Sequence, residues 1–388
     1  MTSITRVTDL RPRPGRFWQR TVAVPRLGSG DPWLLGAVAV LLALGTVMVF
    51  NASYFYARDV YGDPLFFVWR HVTYIGIGVI VATAAARRPW TFWERWARAL
   101  VLFAAVALLA VLLFGREENG ARRWLSLGFL PLTVQPSEFV KTILVIYLAR
   151  YLARRHDKLH LWWEGILPPL FLTGVLLALL YCQPDFGTMM ILAATAGGML
   201  FVAGVSRKQI AILATLAIAG ATAGILAEPY RVSRIVSFLS AWERERDVGY
   251  QLVQSMIAVG SGGLTGVGLG ASQQKLFFLP AAHTDFIFAL IGEELGLLGV
   301  AVVLGLFALI AQRGLRIARG HEELFVRFLA CGLAITLVFE AWLNMAVVLG
   351  MAPTKGLALP FVSYGGSALV GALLRVGILW NLSRSTSS

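Results

Sequence analysis

The sequence predicts an all-α polytopic membrane protein of about ten transmembrane helices, with a long extracytoplasmic segment between the seventh and eighth. Three observations predict it. Of 388 residues, 57% are hydrophobic and 14% charged, where a soluble chain carries about 25% charged residues. Apolar runs approach the ~20 residues that span a bilayer at ten places. The cations collect in short polar loops between alternate runs, the positive-inside pattern.

Residues 1–32 read as a cytoplasmic tail held near anionic lipid, with Arg6, Arg11, Arg13, Arg16, Arg20 and Arg26 among Pro12, Pro14 and Pro25. A transit peptide shares that composition, and no small-residue cleavage site marks a signal peptide. The spans of the membrane domain, 33–384, fall near 33–52, 66–86, 97–114, 136–153, 164–181, 186–204, 209–227, 285–312, 324–350 and 361–382. Residues 385–388 form a short cytoplasmic end. With the tail inside, 22 of the 34 basic residues, Arg375 and Arg384 among them, fall on the inner side. That bias makes the number of spans even and both termini cytoplasmic.

Three features then face outward: residues 115–136, the segment 228–284, and Met351–Gly356 followed by Pro360–Ser367. Within the long segment, Tyr250 to Gly270 reads as a helix tapering into a glycine-rich turn at the outer membrane surface. The net charge of +13 sits in these loops rather than on a soluble basic face, which excludes nucleic acid as a partner. Cys182 and Cys331 lie in separate apolar runs, which argues against a disulfide framework or a zinc site. The two halves of the chain show no repeat of the kind found in inverted-repeat transporters.

Asp285 is the first candidate for chemistry. It stands where the polar stretch Gln273–Thr284 enters the apolar run Phe286-Ile287-Phe288, and a charge at that depth is costly unless paired, hydrated or used. One reading is a helix N-cap. The other is a general base whose apolar flank raises its pKa. His283 is a partner for it or an interfacial residue. Glu293 and Glu294, two turns on, read as a buried polar network. Glu138 and Lys141 share a helix face at i, i+3 and read as a structural ion pair that fixes helix packing, with a direct substrate role as the alternative.

Arg231, Arg234, Lys275, Arg122, Arg123 and Lys355 run against the positive-inside bias. They either snorkel at the interface or bind the phosphate of an outer-leaflet lipid. The run Gly262–Gly270 lacks the Gly-Lys-Ser/Thr ending of a P-loop; an anion nest and a tight turn under a helix both remain open. Tyr364-Gly365-Gly366-Ser367 poses the same choice.

These residues resemble the SEDS family (shape, elongation, division and sporulation) from about residue 33 to 382. The motifs are Gly120–Trp124, Gln135-Pro136-Ser137-Glu138 with Lys141, Gln183–Thr188, Pro229-Tyr230-Arg231 with Arg234, Tyr250-Gln251-Leu252 with Gln254-Ser255, His283–Phe286 and Pro360–Ser367. Gln274-Lys275-Leu276, Ile291–Glu294 and Thr354–Leu357 resemble the division branch. Ala281 stands where family members often have Glu, so a role for that carboxylate does not carry over.

The resemblance implies a peptidoglycan glycosyltransferase of the bacterial cytoplasmic membrane. It would polymerise lipid II at the division septum, beside a class B penicillin-binding protein and other division proteins. It implies Asp285 as the essential aspartate, and a functional role for Arg123 and Trp124. Arg231, Arg234, Lys275 and Lys355 are then the candidate substrate cations. The leaving diphosphate-polyprenol needs its charge absorbed, by these side chains or by a divalent cation riding on it; no resident cofactor is expected. A lipid II transporter and a non-catalytic division scaffold are the alternatives.

Overall fold

The computed structural model describes residues 30–118, 121–126, 133–243, 249–275, 279–280 and 282–384. The tail through residue 29, Ala281 and the end 385–388 lie outside the described residues. The helices are α1 (Pro32–Tyr61), α2 (Phe66–Ala86), α3 (Trp90–Phe114), α4 (Pro136–Arg154), α5 (Leu167–Cys182) and α6 (Phe186–Val202). They continue with α7 (Arg207–Leu226), α8 (Pro229–Leu239), α9 (Tyr250–Ser261), α10 (Ile287–Arg319), α11 (Leu324–Val348) and α12 (Gly366–Arg384). The chain is thus a predominantly helical polytopic membrane protein.

Helices α1–α7 and α10–α12 occupy the ten predicted positions. Eight of them are long and apolar enough to cross a membrane, α5 together with the π-helical turn Trp162–Ile166 that leads into it. The other two are α6, with 17 residues, and α4, which carries Glu138, Lys141, Arg150 and Arg154. Both pack inside the bundle, against each other and against α11. In α11 72% of the most apolar window is buried, in α7 only 6%, so α11 is the axis of the bundle and α7 its periphery.

The helices overrun the apolar runs. α1 extends to Tyr61, α3 begins at Trp90 rather than 97, and α10 continues to Arg319. The added turns hold Arg58, Glu94, Arg95, Arg316 and Arg319. Such residues suit a helix but end a hydropathy window. α12 starts later than predicted, at Gly366, because residues 360–365 form turns. At the other end of the bundle Asp31 caps α1 by accepting from the Trp33 and Leu34 amides, and it pairs with Arg313 at 2.6 Å.

The described residues 115–118, 121–126 and 133–135 are not helical. Strands β1 (Arg116–Glu118), β2 (Ala121–Ser126) and β3 (Thr133–Val134) form a three-stranded antiparallel sheet. Arg116 pairs with Trp124 and Glu118 with Ala121, and Leu125 pairs with Val134.

The Glu138–Lys141 pair is present at 2.6 Å, and it is half of a quartet. Lys141 also bonds Glu340 of α11, and Glu340 holds Arg375 of α12 at 2.7 Å. All four side chains are buried. Arg375, counted among inner-side cations in the sequence reading, is therefore interior. Two acids and two bases leave no net charge, which is what makes burial of the group tolerable.

The glycine-rich run is a tight turn docked into a broken helix. α10 is interrupted at Gly296, with φ 62 and ψ −160. Residues 263–268 enter the gap, where Leu297 and Leu298 donate to the Gly263 and Leu264 carbonyls and Val267 and Gly268 donate to those of Glu293 and Glu294. A Cβ on Gly262 would overlap the Gly292 carbonyl, and one on Gly266 the Glu294 carbonyl. The turn is thus built for backbone contact, not for an anion.

Candidate active site

Asp285 lies on the segment leading into α10. It is not the helix cap: the N-cap is Phe286, which makes no side-chain cap bond. The carboxylate is half-buried. Its backbone is clamped instead. The Asp285 carbonyl accepts from Asn344 Nδ2 at 2.9 Å, and the His283 carbonyl accepts from the Tyr364 amide at 3.0 Å. α11 and the segment 349–365 therefore set where the carboxylate points.

Burial raises the Asp285 carboxyl from 3.8 to about 6, opposed by the positive fields of Arg123 and then Arg234. A carboxylate titrating there is ionised at neutral pH yet basic enough to accept a proton. His283 is a packing residue rather than a partner. Its ring lies 4.6 Å from Phe67 and 5.9 Å from Tyr56, and burial lowers its pKa to about 4, so it is neutral.

Two cations from separate elements, Arg123 and Arg234, act on this carboxylate, and a third, Lys355, lies within the field of Arg234. Arg123, on β2, donates Nε to the Gln183 carbonyl at 3.3 Å and Nη2 to that of Pro184. Those carbonyls are fixed in turn. Gln183 donates to Leu108 at 2.7 Å, and Asp185 caps α6 while accepting from Ser137 at 3.0 Å. Arg234, on α8, donates to the Thr354 carbonyl at 3.2 Å. Lys355 follows in the same segment, beside Met190. Burial first, then the Arg234 charge, lowers its pKa to about 8. Gly356 comes next, facing Asp285.

The other sequence-predicted residues take different places. Arg231 donates to the Gly224 carbonyl at 2.6 Å and covers the rings of Phe186 at 4.2 Å and Tyr181 at 4.5 Å, so it fastens α8 to the bundle. Trp124 is half-buried in β2. Lys275 is engaged away from this group: it bonds Asn51 at 2.7 Å and faces buried Glu294 at 3.7 Å. Glu294 accepts from the Gly270 and Ser272 amides, and Glu293 from that of Gln273 at 2.9 Å. The two acids are thus the predicted buried network, and it anchors the 262–275 loop to α10 and α1.

Asn344 was missed from sequence, and Gly356, Gln183 and Pro184 stood there only inside motifs, with no role assigned to them. Asn344 left one trace, a lone amide in the apolar run of α11. Among the described residues no group of three His, Cys, Asp or Glu converges as metal ligands.

Known proteins share this arrangement of chain. A Saccharophagus degradans protein named "Probable peptidoglycan glycosyltransferase FtsW" is 42% identical over 342 residues, 87% of this chain and 88% of that one. The Coxiella burnetii protein of the same name is 40% identical over 365 residues, covering 93% and 98%. A solved chain described under "Structural coordination of polymerization and crosslinking by a peptidoglycan synthase complex" superposes with a TM-score of 0.77 at 29% identity, covering 92% of this chain and 98% of that one. Residues 32–388 match the FtsW/RodA/SpoVE family, described as cell cycle protein, and the chain belongs to that family.

Proposed function

We propose that this chain is a peptidoglycan glycosyltransferase that polymerises lipid II at the outer face of the bacterial cytoplasmic membrane during septal wall synthesis. The observation that carries the reading is the half-buried carboxylate of Asp285, raised to about 6, within the fields of Arg123 and Arg234. The acceptor sugar 4-hydroxyl attacks the donor anomeric carbon, and its proton passes to Asp285. The bond from that carbon to the diphosphate oxygen breaks, and the diphosphate-polyprenol departs with the electron pair. Attack opposite the leaving group turns the α-linked donor into a β-linked glycan. A diphosphate needs no strong acid to leave, so one carboxylate is enough where glycosidases pair two.

Arg123, Arg234 and Lys355 hold the departing charge in this reading, because preorganised cations at a water-poor site are strongest where charge develops. A divalent cation would arrive on the diphosphate as part of the substrate. A class B penicillin-binding protein is the proposed partner, supplied with glycan for crosslinking.

A transporter reading needs a polar path through the bundle. The interior charges nearest to one are Glu138, Lys141, Glu340 and Arg375, which are buried and ion-paired. Incubating the purified chain with labelled lipid II in detergent, with and without the transpeptidase partner, tests the proposal. Glycan polymer is expected. Passage of lipid II across proteoliposomes without polymer would favour the transporter. Partner binding with neither activity would favour a scaffold.

A further inference from the structure

We propose that Asn344 is a positioning residue for the reaction: its side-chain amide fixes the backbone of Asp285 against the Lys355–Leu357 loop, setting the distance from base to cation. This rests on the reading of Asp285 as the base. Asn344 sits one turn before the end of α11 and is buried. Its Nδ2 donates to two carbonyls, that of Asp285 at 2.9 Å and that of Leu357 at 2.5 Å. Both partners are acceptors, so only the NH₂ side of the amide fits between them. Its Oδ1 is buried without a hydrogen-bond partner. A buried polar atom left in that state is unfavourable, and the amide holds its place because it is a second tie, beside the Tyr364–His283 backbone bond, between the two segments.

The joined segments carry the chemistry. One ends in Asp285. The other runs through Thr354, whose carbonyl receives Arg234, then Lys355 and Gly356. One amide thus sets the register of the base, one cation directly and a second cation through Thr354. A displacement of about 1 Å at such a site costs on the order of 100-fold in rate.

The test compares Asn344→Gln, Asn344→Leu and Asp285→Asn in the full chain with its partner, with rates expressed per folded molecule after size exclusion. Asn344→Gln keeps both donors but displaces them by a methylene. It is expected to lower kcat about tenfold with KM nearly unchanged, and Asn344→Leu to lower it further. The acidic limb of the pH–rate profile should move in both variants, because Asp285 changes its distance from the charges that act on it, Arg123 from β2 and Arg234 from α8, while His283 on its own segment is neutral and Lys355 acts next to Arg234. A merely structural role would reduce folded yield and leave that limb in place. Wild-type kcat and an unmoved limb in a folded Asn344→Gln overturn the proposal, and that variant decides the matter if Asn344→Leu does not fold. Activity in Asp285→Asn would instead overturn the base assignment beneath it.

Discussion

Gly356 faces the carboxylate of Asp285 so closely that a Cβ there would stand 3.4 Å from Oδ2. The space before the base is therefore kept by a missing side chain. Gly356→Ala should fold and lose roughly tenfold in kcat/KM, since a methyl reaches ordinary contact with Oδ2. Gly356→Val, which fills the approach, should lose on the order of 100-fold. Steady-state polymerisation of labelled lipid II, with thermal unfolding as the control for folding, checks both.

The rate should follow a bell-shaped pH profile. Asp285 must be ionised to accept a proton, and its pKa is about 6, so kcat/KM should rise through that value and sit about tenfold below plateau at pH 5. Lys355 loses its charge above about 8, which gives the falling limb. Lys355→Arg should move that limb upward, because guanidinium stays charged.

Stability should run the other way at Asp285. Its folded pKa is raised above 3.8, so the stabilising contribution belongs to the protonated form. It is full below about pH 4 and is lost as pH rises through about 6. Asp285→Asn should therefore be more stable than wild type at pH 7, by about 1–3 kcal/mol. Thermal unfolding of the purified protein at pH 4.5 and pH 7 measures the difference, which should shrink at the lower pH.

Glu340 bridges Lys141 and Arg375, so Glu340→Gln leaves the quartet with excess positive charge in the bundle. A destabilisation of about 3–5 kcal/mol is expected. Lys141→Met combined with Glu340→Gln restores the balance of charge and should recover part of the loss. Midpoints of thermal unfolding in detergent for the two variants decide whether net charge or individual bonds sets the cost.

The broken helix makes a sharper contrast among glycines. Gly266→Ala puts a methyl into the Glu294 carbonyl, whereas at Gly260 nothing lies within 4 Å. Gly266→Ala should abolish folded yield, and Gly260→Ala, inside α9, should be neutral or stabilising by up to about 1 kcal/mol. Yield and thermal unfolding of the pair check the docking of the turn into α10.

Helix positions were legible because hydropathy tracks bilayer thickness, and Asp285 because a lone acid at an apolar boundary is conspicuous. The sheet of β1, β2 and β3 was not, because short polar strands have no apolar period to report them. Arg123, Arg234 and Lys355 were legible as cations on the wrong side of the charge bias. Their convergence was not, since it depends on β2, α8 and the 349–365 segment meeting in space. Lys275 carried the same signal as those three and is spent on Glu294 instead. Glu340 and Arg375 were single charges in apolar runs, and only the packing of α4, α11 and α12 shows that they complete the Glu138–Lys141 pair.

The most direct measurement is polymerisation of labelled lipid II by purified, folded Asp285→Asn beside wild type. The account predicts loss of polymer by at least about 100-fold, with unfolding temperature equal to or above wild type at pH 7. Polymer formed at the wild-type rate would contradict it.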